Sequence, residues 1–187
     1  MSRKLVLAAV AALLAGPALA QDVPDTPGPN LVIAVDGAAK GEVVVDLLPD
    51  VAPKHVAQIT ALAKEGAYDG VIFHRVIDGF MAQTGDVEYG KKGGDTSYAG
   101  MGGSSLPDIP AEFSNISFQR GIVGMARSQD PNSANSQFFI MFDDGSFLDG
   151  QYTVVGRVIK GMDVVDAITR GEPPASPDVM EKVTVAE

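Results

Sequence analysis

The feature that most constrains this chain is the grouping of its apolar residues into short β-branched and aromatic runs, with helical periodicity in only two places. The runs are Asn30 to Asp36, Gly41 to Leu47, Gly70 to Ile77, Phe80 to Gln83, Gly121 to Ala126, Gln137 to Phe142, Tyr152 to Ile159 and Val179 to Val185. Each has strand length, and turn signals lie between them. Asp36-Gly37 and Gly41 bracket a tight connection, so the first two runs are predicted to form a hairpin. Val56, Ile59, Leu62 and Ala63 recur at helical spacing between Pro53, which suits a first turn, and Gly66, which suits a stop. Val164, Val165 and Ile168 mark a second, short helix over Met162 to Arg170, with Gly171 after it. Many short strands with two helices fit a closed or sandwich-like antiparallel β domain, not a βαβ fold. Gly85 to Gln119 is rich in Gly, Ser and Asp and lacks periodicity. Loops of that length are uncommon in compact domains unless they are functional, so it is predicted to be an ordered excursion near the working face.

The first twenty residues do not belong to that pattern. Arg3 and Lys4 give a basic start, Leu5 to Leu14 are all apolar, and Gly16-Pro17 precedes Ala18-Leu19-Ala20. The apolar stretch is shorter than the ~18–20 residues that a span needs. The arrangement is that of a secretory signal cleaved after Ala20. The expected organisation is a signal peptide over 1–20, a flexible lead-in over 21–29 and one folded domain over 30–187. Export is expected, with the periplasm as the first choice and full secretion as the alternative.

An exported chain can carry disulfides, yet this one has no cysteine. Its stability must then come from a packed core, and thiolate zinc sites and cysteine nucleophiles are excluded. His55 and His74 are its two histidines. They lie in separate runs, His55 expected to be exposed on the first helix, so no metal or cofactor is expected. The chain carries 14 basic and 24 acidic residues, for a net charge of −10. Loss of Arg3 and Lys4 leaves 12 basic residues and a net charge of −12. So acidic a body repels phosphate backbones and anionic lipid, so neither nucleic acid nor, after cleavage, membrane is an expected partner. Gly85 to Lys92 approaches a phosphate-binding loop but has Lys92 where a magnesium-binding hydroxyl belongs. Asp143-Asp144-Gly145 lacks the glutamate and spacing of a calcium loop and reads as a solvated turn.

Three segments mix apolar and polar groups in a way the rest of the chain does not: Phe73 to Asp86, Gly124 to Ile140 and Phe147 to Tyr152. In the first, strand alternation puts Arg75 on one face with Phe73 and Ile77, and turns His74 the other way. A cation among apolar neighbours is costly unless it is paired or has a task. In the second, Gln137 and Phe139 share one face, and Phe138 and Ile140 the other. One face can fill a core while the other offers an amide and a ring to a surface. Phe80, Met81, Phe139 and Phe147, with Arg75 and Gln83 as the polar groups, have the composition of a small binding pocket.

These segments resemble the cyclophilin family of peptidyl-prolyl cis-trans isomerases. FHRVIDGFMAQTGD is similar to the family signature F-H-R-x-I-x-G-F-M-x-Q-x-G-D, SANSQFFI to its second motif, and FLDGQYTVVGRVIKGMDVV to its third. The order and spacing agree from about Asn30 to the C-terminus. The resemblance implies a mainly β fold: a closed eight-stranded antiparallel β-barrel capped by two α-helices. It implies that Arg75 is the catalytic arginine, that Phe80, Met81, Phe139 and Leu148 wall the proline pocket, and that Gln83 is the pocket glutamine. It implies further that Ala126 and Arg127 pair with the peptide backbone, and that Phe147 and Tyr152 form the rim. The implied partners are proline-containing unfolded or partly folded polypeptides, bound by a monomer. Cyclosporin, the family's usual inhibitor, is expected to bind weakly, because Phe147 stands where the tightly inhibited members have Trp. The alternative is a cyclophilin-like module, or holdase, that binds proline segments with little turnover.

Overall fold

The computed structural model describes residues 26–186. The expected signal segment and residues 21–25 of the lead-in lie outside the described residues. Nine strands form one antiparallel sheet: β1 (Asn30–Asp36), β2 (Gly41–Leu47), β3 (Val71–Ile72), β4 (Arg75–Ile77), β5 (Met81–Thr84), β6 (Ile122–Met125), β7 (Phe138–Met141), β8 (Val154–Lys160) and β9 (Val179–Ala186). Their order is β3-β9-β1-β2-β8-β6-β7-β5-β4. The predicted hairpin is present, with Leu31 opposite Val45 and Ile33 opposite Val43.

The two edges of this sheet, β3 and β4, are consecutive in the chain and separated only by Phe73 and His74. β3 pairs with β9, while β4 pairs with β5 on the far edge. One run of sequence therefore spans both edges, and the sheet curls round on itself. The run expected as a single strand over Gly70 to Ile77 is broken at Phe73-His74, so the eight expected strands are nine. The break leaves backbone groups that find other partners: the Phe73 N–H donates to the Asp178 carbonyl at 2.9 Å, and Thr84 Oγ1 donates to the Ile72 carbonyl at 2.9 Å.

Alternation divides the buried residues between two clusters. The larger contains Leu31, Ile33, Val43, Val45, Ala82, Val123, Phe138 and Ile140. It is closed by the apolar face of α1 (Pro53–Lys64), where Val56, Ile59, Leu62 and Ala63 are buried as their spacing predicts, and by Val165 of α2 (Met162–Asp166). α2 ends before the expected Arg170. Met81, Phe139 and Met141, from the opposite face of the same strands, join Phe118, Leu148 and Val154 in a smaller cluster. All four residues of β7 are therefore buried.

The segment between β5 and β6 has no helix or strand, yet it is pinned by buried acceptors. Asp86 is wholly buried, and its carboxylate accepts from the backbone N–H groups of Glu88, Tyr89, Gly100 and Gly102 at 2.7–3.1 Å. Asn135 accepts from Ser104 and donates to the Leu106 carbonyl and to Asp108. Glu112 reaches the first turn of α1. This helix has no capping side chain of its own, and Glu112 accepts from the Lys54 and His55 N–H groups instead. It also bonds the His55 ring at Nδ1, 2.6 Å away. The His55 ring is thus fully buried, not exposed as expected, because a distant carboxylate meets it there. Burial pushes the Glu112 carboxyl up, but the bonds from His55 and the helix backbone outweigh it and hold the group below its ordinary value.

Candidate active site

The register of four neighbouring strands builds the site. Arg75 of β4 lies opposite Gln83 of β5, Gln83 opposite Phe139 of β7, and Phe139 opposite Gly124 of β6. These residues form one row across the sheet, on the face turned away from the larger core. Directly opposed residues have Cβ atoms about 4.5–5.5 Å apart, so a guanidinium, an amide and a ring are brought side by side by strand pairing alone. The row continues into the smaller cluster through Met81, opposite Ile77 and Met141.

Gly124 closes the row because a side chain there has no room. A Cβ would lie 2.5 Å from the Phe118 ring and 2.6 Å from the Phe139 ring. With glycine in place, Phe118 stacks on Phe139, ring centres 5.7 Å apart and planes 26° apart. Phe139 is further wedged by the edge of Tyr152, with ring centres 5.9 Å apart.

A pocket of about 220 Å³ opens above this floor, lined by Arg75, Phe80, Met81, Gln83, Ala126, Arg127, Phe139, Leu148 and Tyr152. The structure thus gathers nine of the eleven residues expected at the site around one hollow. Of the other two, Gln137 bonds the lining residue Gln83 and Phe147 packs on the lining residue Phe80. Phe147 is 63% exposed and packs on the Phe80 ring, centres 5.5 Å apart. It sits on a short 3-10 turn, Ser146–Leu148, that the sequence reading did not anticipate. That turn buries Leu148 and presents Phe147 outward.

The polar groups form a directed chain. Gln137 donates through Nε2 to the carbonyls of Gly100 and Gly102, at 3.0 and 2.8 Å. Its Oε1 accepts from Gln83 Nε2 at 2.9 Å. Gln83 therefore turns its Oε1 to Arg75, whose Nη1 lies 3.5 Å away. The chain starts in the long loop, so the excursion lies beside the candidate site. Gly100, Met101 and Gly102 line a second hollow of about 300 Å³, which shares Gln83, Ala126 and Arg127 with the first.

Arg127 is committed to the rim. Its guanidinium lies 4.3 Å from the centre of the Tyr152 ring, and it donates to the Ser128 and Gln151 carbonyls at 2.9 Å each. One partner of the site was missed by sequence reasoning. Glu172 accepts from Arg75 Nε at 2.9 Å. The two residues are far apart in the chain, and no local pattern joins them.

His74 lies in the break between β3 and β4, where the expected alternation does not hold: Phe73, expected on the face of Arg75, packs in the larger core, and His74, 4% exposed, lines a hollow with Arg75 and Gln83. Burial holds its imidazole below the ordinary value of 6.5. Asp86 opposes that shift, and Arg75 reinforces it.

Comparison with known proteins agrees with this geometry. Residues 31–187 match the family model described as cyclophilin type peptidyl-prolyl cis-trans isomerase/CLD. A Brucella suis protein named "Probable peptidyl-prolyl cis-trans isomerase" is 62% identical over 152 residues, which cover 78% of each chain. A peptidyl-prolyl cis-trans isomerase of Arabidopsis thaliana is 40% identical over 140 residues, 74% of this chain but 26% of that longer protein. Among solved structures, a cyclophilin from Hirschia baltica superposes with a TM-score of 0.72 at 28% identity, covering 86% of this chain and 74% of its own. A Cryptosporidium parvum cyclophilin-type isomerase, solved in the presence of the dipeptide Ala-Pro, superposes with a TM-score of 0.72 at 26% identity, covering 84% and 99%.

The buried imidazole has a consequence for stability. The folded His74 binds its proton less readily than the unfolded chain does, so stability is present above pH 6.5 and is lost as the pH falls toward the lower folded value. The depressed carboxyl Glu112 contributes its own loss only below its ordinary value of 4.5. Urea midpoints at pH 7.5 and 5.0 test this: the wild-type midpoint falls, and His74→Gln reduces the fall. An equal fall in both proteins contradicts the assignment.

Proposed function

The chain belongs to the cyclophilin-type peptidyl-prolyl cis-trans isomerases, and from that premise we propose how its pocket performs the reaction and where. Rotation about an X-Pro bond must break amide resonance, and the uncatalysed exchange takes roughly tens to hundreds of seconds. No bond is made, so the enzyme's task is to hold the twisted amide better than either planar form. As the bond twists, the proline nitrogen becomes pyramidal and gains a lone pair. A guanidinium beside the pocket donates to that lone pair and favours the twisted state. The observation that carries this reading is the cross-strand row: Arg75 stands at the mouth of an apolar hollow floored by Met81 and Phe139.

In this reading Phe80, Met81, Phe139 and Leu148 hold the proline ring, and Gln83 steadies Arg75 or the peptide carbonyl. Ala126 and Arg127 border the second hollow, where the residues before proline lie. In this reading the enzyme acts as a monomer on proline-containing, partly folded polypeptides.

Arg75→Ala is expected to remain folded, because the side chain is 40% exposed, and to lose at least tenfold in kcat/KM, about 1.4 kcal/mol or more. A protease-coupled assay on an X-Pro peptide measures it, and near wild-type turnover in the folded variant defeats the mechanism.

Phe147 bears on inhibition. A phenyl ring lacks the N–H donor and part of the area of an indole. Cyclosporin is therefore expected to inhibit weakly. Phe147→Trp should strengthen inhibition roughly ten- to a hundredfold, the equivalent of about 1–3 kcal/mol, without a matching gain in turnover. Inhibition constants of the two proteins on one peptide decide it; equal constants would remove Phe147 from the rim.

The place of action is the periplasm, on proteins that fold after export. The support is the basic start, the apolar run and Ala18-Leu19-Ala20. Mass analysis of the periplasmic protein, expressed from its full sequence, should give Gln21 as the first residue. Protein retained in the cytosol with residues 1–20 intact would refute export.

A further inference from the structure

We infer that Glu172 is a positioning residue for Arg75: its carboxylate fixes the rotation of the guanidinium that meets the twisted amide. The inference rests on the reading of Arg75 given above and deepens it. Arg75 offers five N–H donors on a planar fork. Nε donates to Glu172 Oε2 at 2.9 Å, and Nη1 faces Gln83 at the longer distance of 3.5 Å. Nη2 has no hydrogen-bond partner among the described residues. Two partners at different corners of one plane define its orientation, and Glu172 is the closer and the charged one. The side that remains open is the one available to substrate.

The backbone is built to bring this carboxylate to that place. Gly171, the residue before Glu172, pairs with Val76, the residue after Arg75. The Val76 N–H donates to the Gly171 carbonyl at 2.8 Å, and the Gly171 N–H donates back at 2.9 Å. Gly171 has φ +148°, and a Cβ on it would meet the Pro174 backbone at 2.5 Å, so only glycine lets the chain turn here. A segment from beyond α2 is thus docked by two hydrogen bonds onto the strand of Arg75. Glu172 and Pro173 also wall a hollow of about 310 Å³ that shares Arg75 and Gln83 with the proline pocket. The carboxylate therefore sits behind the guanidinium, outside the hollow that takes the proline ring.

A long exposed side chain samples many rotamers, and a reaction whose catalysis is orientation loses rate when the donor wanders. Removing Glu172 should leave peptide binding intact and lower the fraction of Arg75 that is correctly placed. The test measures kcat and KM separately by exchange NMR on an X-Pro peptide. Glu172→Ala is expected to lower kcat roughly two- to fivefold, the range an exposed ion pair supports, with KM unchanged. Glu172→Gln, which keeps an acceptor for Nε–H, should recover most of the loss. In an Arg75→Lys background, which has no Nε–H, Glu172→Ala should cause no further loss.

A direct readout accompanies the kinetics. The Arg75 Nε–H signal, assigned by its disappearance in Arg75→Lys, should be ordered in the wild type and in Glu172→Gln and mobile in Glu172→Ala. The inference is overturned if Glu172→Ala leaves kcat and the Nε–H order unchanged, or lowers kcat equally with and without Arg75. If Arg75→Lys itself keeps full activity, the reading of Arg75 falls first, and the Nε–H order still decides whether Glu172 holds the side chain.

Discussion

Strand register is the constraint on which the site depends. Arg75, Gln83, Phe139 and Gly124 come from four strands and meet only because each is directly opposite the next. A slip of one residue in any of these pairings would turn a whole strand's side chains to the other face. Two-sided burial prevents the slip. In β7, Phe138 and Ile140 are locked in the larger core while Phe139 and Met141 are locked in the smaller one. In β5, Ala82 faces the first cluster and Met81 the second. The pocket floor and the fold are then the same packing problem. Gly124 shows the link most plainly, since a methyl group there would displace both Phe118 and the wall residue Phe139.

The long segment between β5 and β6 supplies what strands cannot, which is the direction of the polar groups. A buried carboxylate that collects four N–H groups removes the freedom of Gly100 to Gly102, and their carbonyls then orient Gln137. Gln137 orients Gln83, and Gln83 presents an acceptor to Arg75. Asp86 therefore acts on the site at a distance, through hydrogen bonds that leave each amide one way to point. The same device, a carboxylate closing on backbone donors, recurs where the buried Asp178 accepts from Ala39 and Thr169 and where the partly buried Glu112 caps α1. Without cysteines, this chain ties its loops with carboxylates.

Much of this was legible in the sequence, and the reasons are physical. All eight apolar runs form strands in the fold, one of them split in two, because β-branched and aromatic residues between turn signals mark strands even where both faces are buried. α1 was legible through Val56, Ile59, Leu62 and Ala63, which recur at helical spacing. Arg75, Gln83 and Phe139 were legible through alternation and through motif resemblance together. What escaped was whatever depends on contacts between distant segments. The break at Phe73-His74 arises because one strand must serve two edges of a curled sheet. His55 is buried because a carboxylate from the long loop arrives over it. Glu172 reaches Arg75 through a docked turn whose only local sign is a glycine. The 3-10 turn that lifts Phe147 is too short to have a period.

A reaction that makes no bond asks an enzyme for shape and orientation alone, and this fold offers both on buried, paired strands. Met81 and Phe139, which floor the pocket, are strand residues almost without exposure. The two cations of the pocket are partly exposed, and each is restrained by a different means. Arg127 lies on the Tyr152 ring and bonds loop carbonyls, so it stiffens the rim without a neutralising charge. Arg75 is held by a carboxylate and an amide, which settle its plane while leaving donors toward the pocket. In a body of net charge −10, an acid beside the working cation adds little to the overall field. Its effect is local and geometric, which is what a rotation about one amide bond requires.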